Sequence, residues 1–308
     1  MDDSFIDIGT DRLCDCSEKH LCCLTAKEWM KSQIGIWEFF YEKRDIRNKK
    51  LHPATFPISL AQKVISLFTH EGELVIDPFV GSGTTLVAAK DLNRNAVGFD
   101  LKQEYVDLAN LRIEQEQKEE SNTNQFAICE DARKIAEHIK PNSVQLILTS
   151  PPYANLLNRK RKNKSRRSDT RKNDQYDQIE QYSQDERDLG TLEAQEFEDA
   201  LCEIYHELKP LLREKGHVIV NITDGWMNNK RIPLHINVIN ALTRAGFEFR
   251  NTIIWDRRNI VNGVGIFGWP SNYITMGATF EYILDFTLPI EPKTTKEKKT
   301  NKAISEEV

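Results

Sequence analysis

A rhythm in the middle of the chain restricts the fold more than anything else in it: short, unbroken apolar runs alternate with stretches of helical spacing. ELVID (73–77), NAVGFD (95–100), NQFAIC (124–129), SVQLILT (143–149) and GHVIVNIT (216–223) are too short for helices and largely apolar. Such runs read as strands buried on both faces, as in a parallel sheet. The segments between them supply covering helices. ISLAQKVISLF (58–68) puts Ile58, Ala61, Ile65 and Phe68 on one side, and TLVAAKDL, YVDLANLRIEQEQKEE, EAQEFEDALCEIYHELKPLL (193–212) and PLHINVINALTRAG (233–246) continue the pattern. Two last runs, FEFRNTIIWDR and FEYILDFTL (280–288), flank a loop rich in Gly and Asn. The expected fold is α/β, a mostly parallel, Rossmann-like sheet with helices on both faces.

Composition sets the outer bounds. The 308 residues, 39% hydrophobic and 29% charged, suffice for one large core with two irregular insertions. No apolar run approaches the roughly 18 residues of a membrane span, and the N-terminus MDDSFIDIGTDR is acidic, unlike a signal or transit segment. A cytoplasmic location without membrane association is expected. Of the six cysteines, Cys14, Cys16, Cys22 and Cys23 crowd one stretch. Their CxC and CC spacings differ from the CxxC pairs of zinc sites, so reduced thiols and no metal are expected. The net charge of −5 conceals RKRKNKSRRSDTRKN (159–173), nine Lys or Arg against one Asp. That run is either a solvated loop or a grip on phosphates, because its charges repel one another unless an anion relieves them.

In a doubly wound sheet, ligands bind beyond the carboxyl ends of the strands, near the switch in strand order. The strand ends are therefore where site residues are to be sought. Asp77 closes the first strand and leads into PFVGSGTT, where Gly81 and Gly83 permit tight turns and close approach of a ligand, and Thr84 or Thr85 can open a helix. The pattern departs from GxGxxG and lacks the lysine of a triphosphate loop, which favours a nucleotide-like ligand without phosphate over a dinucleotide oxidoreductase. Asp100 ends the second strand, where an acid can take two ribose hydroxyls. Asp131 follows the third strand and can address an adenine amino group. The fourth strand stops in TSPPY, a rigid and aromatic end.

FVGSGTT after an Asp, together with TSPPY, resembles the S-adenosylmethionine-dependent amino methyltransferases of DNA found in restriction-modification systems, over roughly residues 51–288. The resemblance implies a seven-stranded class I methyltransferase sheet with a reversed last hairpin. It divides the chain into an N-terminal extension (1–50), a catalytic domain (51–288) and a polar tail (289–308), with a basic insertion at 154–192 and a target-recognition loop at 257–275. By position, Asp77, Phe79, Gly81 and Gly83 belong to the loop around the methionine part of the cofactor, Asp100 to its ribose and Asp131 to its adenine. Thr55 and Phe56 of HPATFP belong to the segment closing over the methionine carboxylate, and Ser150, Pro151, Pro152 and Tyr153 match the catalytic loop. Trp255 and Glu281 resemble features near the end of such enzymes. The cofactor motifs precede the catalytic loop here, whereas many relatives are circularly permuted.

The chemistry accounts for the loop. An exocyclic amine is a poor nucleophile because its lone pair is delocalised into the ring, so acceptors aimed at its protons, the Ser150 hydroxyl and the Pro151 carbonyl, serve to orient it. The prolines fix the carbonyl direction, and Tyr153 offers a flat face to a base flipped out of the duplex. Ser at the first loop position favours cytosine N4 as the target, with adenine N6 the alternative. Methylation of ring carbon 5 uses a Pro-Cys nucleophile, and no Cys here follows a Pro. An RNA amino methyltransferase and a noncatalytic DNA-binding protein are the other readings. The expected partners are double-stranded DNA and a cognate restriction endonuclease acting on the same site. Arg159, Lys160, Arg161, Lys162, Arg166 and Arg167 are expected on phosphates, with Trp269 and Asn272 near the groove.

Overall fold

The computed structural model describes residues 5–16, 22–46, 55–116, 122–156, 185–227, 230–260 and 279–289. Its centre is a sheet whose strands are β1 (Ile36–Glu38), β2 (Leu74–Asp77), β3 (Asn95–Asp100), β4 (Gln125–Cys129), β5 (Val144–Thr149), β6 (Leu212–Ile222), β9 (Glu248–Asp256) and β10 (Phe280–Thr287), in the order β1-β9-β10-β6-β5-β2-β3-β4. Strands β7 (Gly225–Met227) and β8 (Lys230–Ile232) form a separate small hairpin. Strand β10 runs antiparallel to both of its neighbours, and the other pairs in the sheet are parallel. The sheet therefore has eight strands where seven were expected. The additional one is β1, three residues of the N-terminal segment that pair with β9 at the edge.

Helices cover both faces because the strands are apolar on both. On one face α3 (Ile58–Phe68), α4 (Thr84–Asp91) and α5 (Gln103–Gln115) pack Ile58, Val64, Leu86 and Val106 against Val75, Leu146 and Ile219. On the other, α6 (Ala194–Leu208), α7 (Leu234–Arg244) and the 3-10 turn Ala132–Glu137 pack Leu201, Tyr205, Val238 and Ile135 against Ile76, Ile147 and Val220. Burial of each such side chain is worth about 1.5–3 kcal/mol, so the two layers commit the sheet to both. All four residues of β2 are buried, as a central parallel strand requires.

The helix boundaries have local causes. Helix α3 follows Pro57, which offers no side-chain cap, and its first N–H is instead taken by Asp45 Oδ1 at 2.8 Å. Helix α6 ends at Leu208 rather than reaching 212, since Pro210 falls in the 3-10 turn that follows, and β6 begins at once. The short helices α1 (Ala26–Ser32) and α2 (Lys43–Ile46) flank β1. Among the described residues no helix is long and apolar enough to cross a membrane.

Candidate active site

Strand order reverses between β2 and β5, and beyond their carboxyl ends lies a cleft of about 900 Å³, counting its solvent-open mouth. Thr55, Phe56, Phe79, Gly81, Asp100 and Asp131 line it together with Ser150, Pro151, Pro152 and Tyr153, although these residues span almost a hundred positions of sequence. The strand-end rule explains most of the convergence, because each of these residues ends or follows a strand except Thr55 and Phe56, which lie just before α3. Of the anticipated cofactor residues, Asp77 and Gly83 do not line the cleft.

Asp77 instead ties the floor of the cleft together. Its Oδ1 accepts from Thr149 Oγ1 at 2.5 Å and from the Phe79 amide at 3.1 Å, and its Oδ2 accepts from Thr85 Oγ1 at 2.6 Å. One carboxylate thus joins β2, β5 and α4. Burial pushes its pKa up to about 6 despite those three donors. Gly83 takes a left-handed φ of 81° as the N-cap of α4, and an added Cβ would meet Ala109 Cβ at 2.8 Å. Glycine is needed there for both the turn and the close helix packing. Gly81, also left-handed at φ 48°, turns its N–H towards Asp100 Oδ2 at 3.0 Å.

Asp100 is held from both sides, since Oδ1 accepts from the Lys102 amide at 3.0 Å. Each oxygen keeps lone-pair capacity for a further donor. Burial, with the charge of Asp188 nearby, pushes Asp100 up to about 6, against the two amides that favour its ionised form. Asp131 caps the 3-10 turn through the Arg133 amide at 3.0 Å and also pairs with the Arg133 guanidinium at 3.2 Å. Lys102, Tyr105 and Asp188 line the cleft as well. Sequence reasoning did not assign them to it. Lys102 and Tyr105 carry no motif, and Asp188 in DLG follows a long insertion that hides its distance from β3.

At the Ser-Pro-Pro-Tyr end of the cleft, Ser150 Oγ lies 3.1 Å from Tyr153 Oη, and Tyr153 Oη donates to Glu281 Oε2 at 3.5 Å. The same Glu281 oxygen accepts from Asn221 Nδ2 at 2.7 Å, while its other oxygen pairs with Arg257. Burial raises the Glu281 pKa, opposed by the Arg257 charge. Trp255, 1% exposed, lies in the core under Arg257, whose guanidinium carbon is 4.9 Å from its ring centre. Arg159, Lys160, Arg161, Lys162, Arg166, Arg167, Trp269 and Asn272 lie outside the described residues, as do most of the basic insertion and of the proposed recognition loop.

The sequence profile of the family described as DNA methylase matches residues 17–111 and 144–307. The chain is 40% identical to the Type II methyltransferase M.HpaI of Haemophilus parainfluenzae over 82 residues, 27% of this chain and 26% of that one. It is 38% identical to the Type II methyltransferase M2.DpnII of Streptococcus pneumoniae over 86 residues, 28% of this chain and 32% of that one. The matches span about a quarter to a third of these relatives. Among solved structures, TrmN from Thermus thermophilus is similar at a TM-score of 0.44 and 18% identity, over 79% of this chain and 53% of that one.

Proposed function

The chain belongs to the DNA methylase family of amino methyltransferases, whose cofactor is S-adenosylmethionine, and from that premise we propose that it methylates the exocyclic N4 of a cytosine flipped out of duplex DNA. The observation that carries the reading is the opening of the Ser-Pro-Pro-Tyr loop and of the acid-ended strand β3 onto one cleft. The residues fit the cofactor. A carboxylate anchored by two backbone amides, with acceptor capacity left on each oxygen, is what the paired hydroxyls of a ribose require, and Asp100 has that form. Thr55, Phe56, Phe79 and Gly81 would hold the methionine part, and Asp131 would face the adenine, with Asp77 and Gly83 shaping the loop from behind. Bound there, the cofactor supplies an electrophilic sulfonium methyl.

The chain's own part is orientation. If Ser150 donates to Tyr153, and Tyr153 to the Glu281 carboxylate, both protons run toward the buried acid. The lone pairs of Ser150 Oγ are then left for an amine N–H, and the Pro151 carbonyl takes the second. Acceptors on both protons turn the nitrogen's lone pair toward the methyl, and the proton released on transfer passes to solvent or to a group of the cleft. The Tyr153 ring would stack on the flipped base. The basic run at 159–173 would bind phosphates, and a cognate restriction endonuclease is the proposed partner.

The test is nucleoside mass spectrometry after incubating the protein with S-adenosylmethionine and unmethylated DNA, with chromatography that separates N4-methylcytosine from its C5 isomer. N4-methylcytosine is expected. N6-methyladenine would overturn the base, product on RNA alone would overturn the substrate, and DNA binding without product would overturn the enzyme.

A further inference from the structure

At the opposite end of the sheet from the cleft, four side chains converge that the methyl-transfer reading does not use. We propose that Cys14, Cys16, Cys23 and His70 bind one zinc ion in a closed, four-ligand site that fastens the N-terminal segment to the turn entering β2. Their ligand atoms all lie within 4.8 Å of one another. Cys14 Sγ is 3.4 Å and Cys23 Sγ 3.7 Å from His70 Nδ1. For a tetrahedral ion with Zn–S of about 2.3 Å and Zn–N of about 2.05 Å, the sulfur-to-nitrogen edge is about 3.6 Å, between the two observed distances.

A thiol cluster held by hydrogen bonds alone fits less well. A neutral imidazole nitrogen has one lone pair, so Nδ1 accepts well from a single S–H, yet two sulfurs converge on it. An ion shared by all four ligands accounts for the convergence. The Glu71 amide donates to Cys23 Sγ at 3.4 Å, the outer hydrogen bond that a zinc thiolate commonly accepts. His70 is 4% exposed, so its ring is held inside the fold rather than free in solvent. Cys22 stands outside the set, with a left-handed φ of 43° that turns the chain just before Cys23.

Three soft thiolates and one imidazole select zinc over magnesium or calcium, and a full complement of four protein ligands leaves no position for substrate. The role is structural. Binding releases three protons, one from each thiol, and leaves a site of net charge −1. The ion closes a loop from Cys14 to His70. Backbone pairing of Leu13 N with Glu71 O at 2.8 Å already holds the two segments side by side. Since β2 begins at Leu74, the site anchors the amino end of the strand whose carboxyl end floors the cleft.

Elemental analysis of the 308-residue chain purified without chelator is expected to give about one zinc per chain. Cobalt substituted into the wild-type protein should give the visible d–d bands of a tetrahedral centre and thiolate charge-transfer absorption. Cys16→Ser with Cys23→Ser should lower zinc content at least tenfold, while His70→Cys, which supplies a fourth thiolate, and Cys202→Ser, outside the cluster, should keep it. Zinc-free wild-type protein, an octahedral cobalt spectrum, undiminished zinc in the double variant, or a Cys14–Cys23 disulfide in reduced preparations would each overturn the proposal. The cobalt spectrum needs no variant to fold, and none of these readouts depends on methyl transfer.

Discussion

At the scale of single residues, the proposed chemistry rests on two acceptor oxygens, the Ser150 hydroxyl and the Pro151 carbonyl. Ser150→Ala removes the acceptor proposed for the amine and leaves the cofactor end of the cleft intact. Its kcat is expected to fall by about 100- to 1000-fold with cofactor affinity unchanged, and full turnover would remove the hydroxyl from the mechanism. Tyr153→Phe keeps the ring but cuts the chain of hydroxyls to Glu281, so kcat should drop about tenfold while DNA affinity holds. Asp100, proposed to hold the ribose, would link binding to pH. Its carboxyl, pushed up to about 6 by burial, takes a proton in the folded chain well before it does in the unfolded one, near 3.9. Between those values acidification stabilises the cofactor-free fold but removes the acceptors a ribose needs. Calorimetry should find S-adenosylmethionine affinity falling about tenfold per pH unit below 6, and a flat profile from pH 7 to 5 would refute the role. Asp100 and Ser150 stand out in the sequence because one ends an apolar run and the other follows one directly. What the run could not reveal is which way an end residue faces: Asp77 is turned inward by Thr149, 72 positions away.

At the scale of elements, the parallel strands and their helices were readable because each is continuous in sequence. The miss was β1, whose Ile-Trp-Glu is too short to carry a period and is a strand only because β9 pairs with it. The end of α6 was overrun for a different reason, since the apolar spacing continues past Pro210 into β6. The joint between β2 and β5 gives a direct test. Thr149→Val preserves shape but deletes the donor to Asp77, and the loss is expected to be about 1.5–3 kcal/mol of stability by chemical denaturation. A change within error would mean that the Asp77 tie contributes nothing to the floor of the cleft. The cysteine cluster was likewise invisible to spacing, because its fourth member, His70, enters from beyond α3.

At the scale of the whole molecule, a chain of net charge −5 is proposed to grip a polyanion through one basic run. Arg166→Ala with Arg167→Ala should weaken all DNA sequences alike and reduce the slope of log affinity against log salt by about 1.8, and an unchanged slope would dismiss the run as a mere solvated loop. The same scale exposes a problem of timing. Strand β1 pairs Ile36 with Ile254 and buries Trp37 against an edge that does not yet exist when it leaves the ribosome. At about 5–20 residues per second, the two pairing partners are synthesised on the order of 10 to 40 seconds apart. For that interval β1 is a segment in search of a sheet, with Trp37 uncovered. The sheet is therefore sewn shut by a stitch made early and drawn tight late, and a nascent chain stalled before residue 250 should leave Trp37 open to chaperones and proteases.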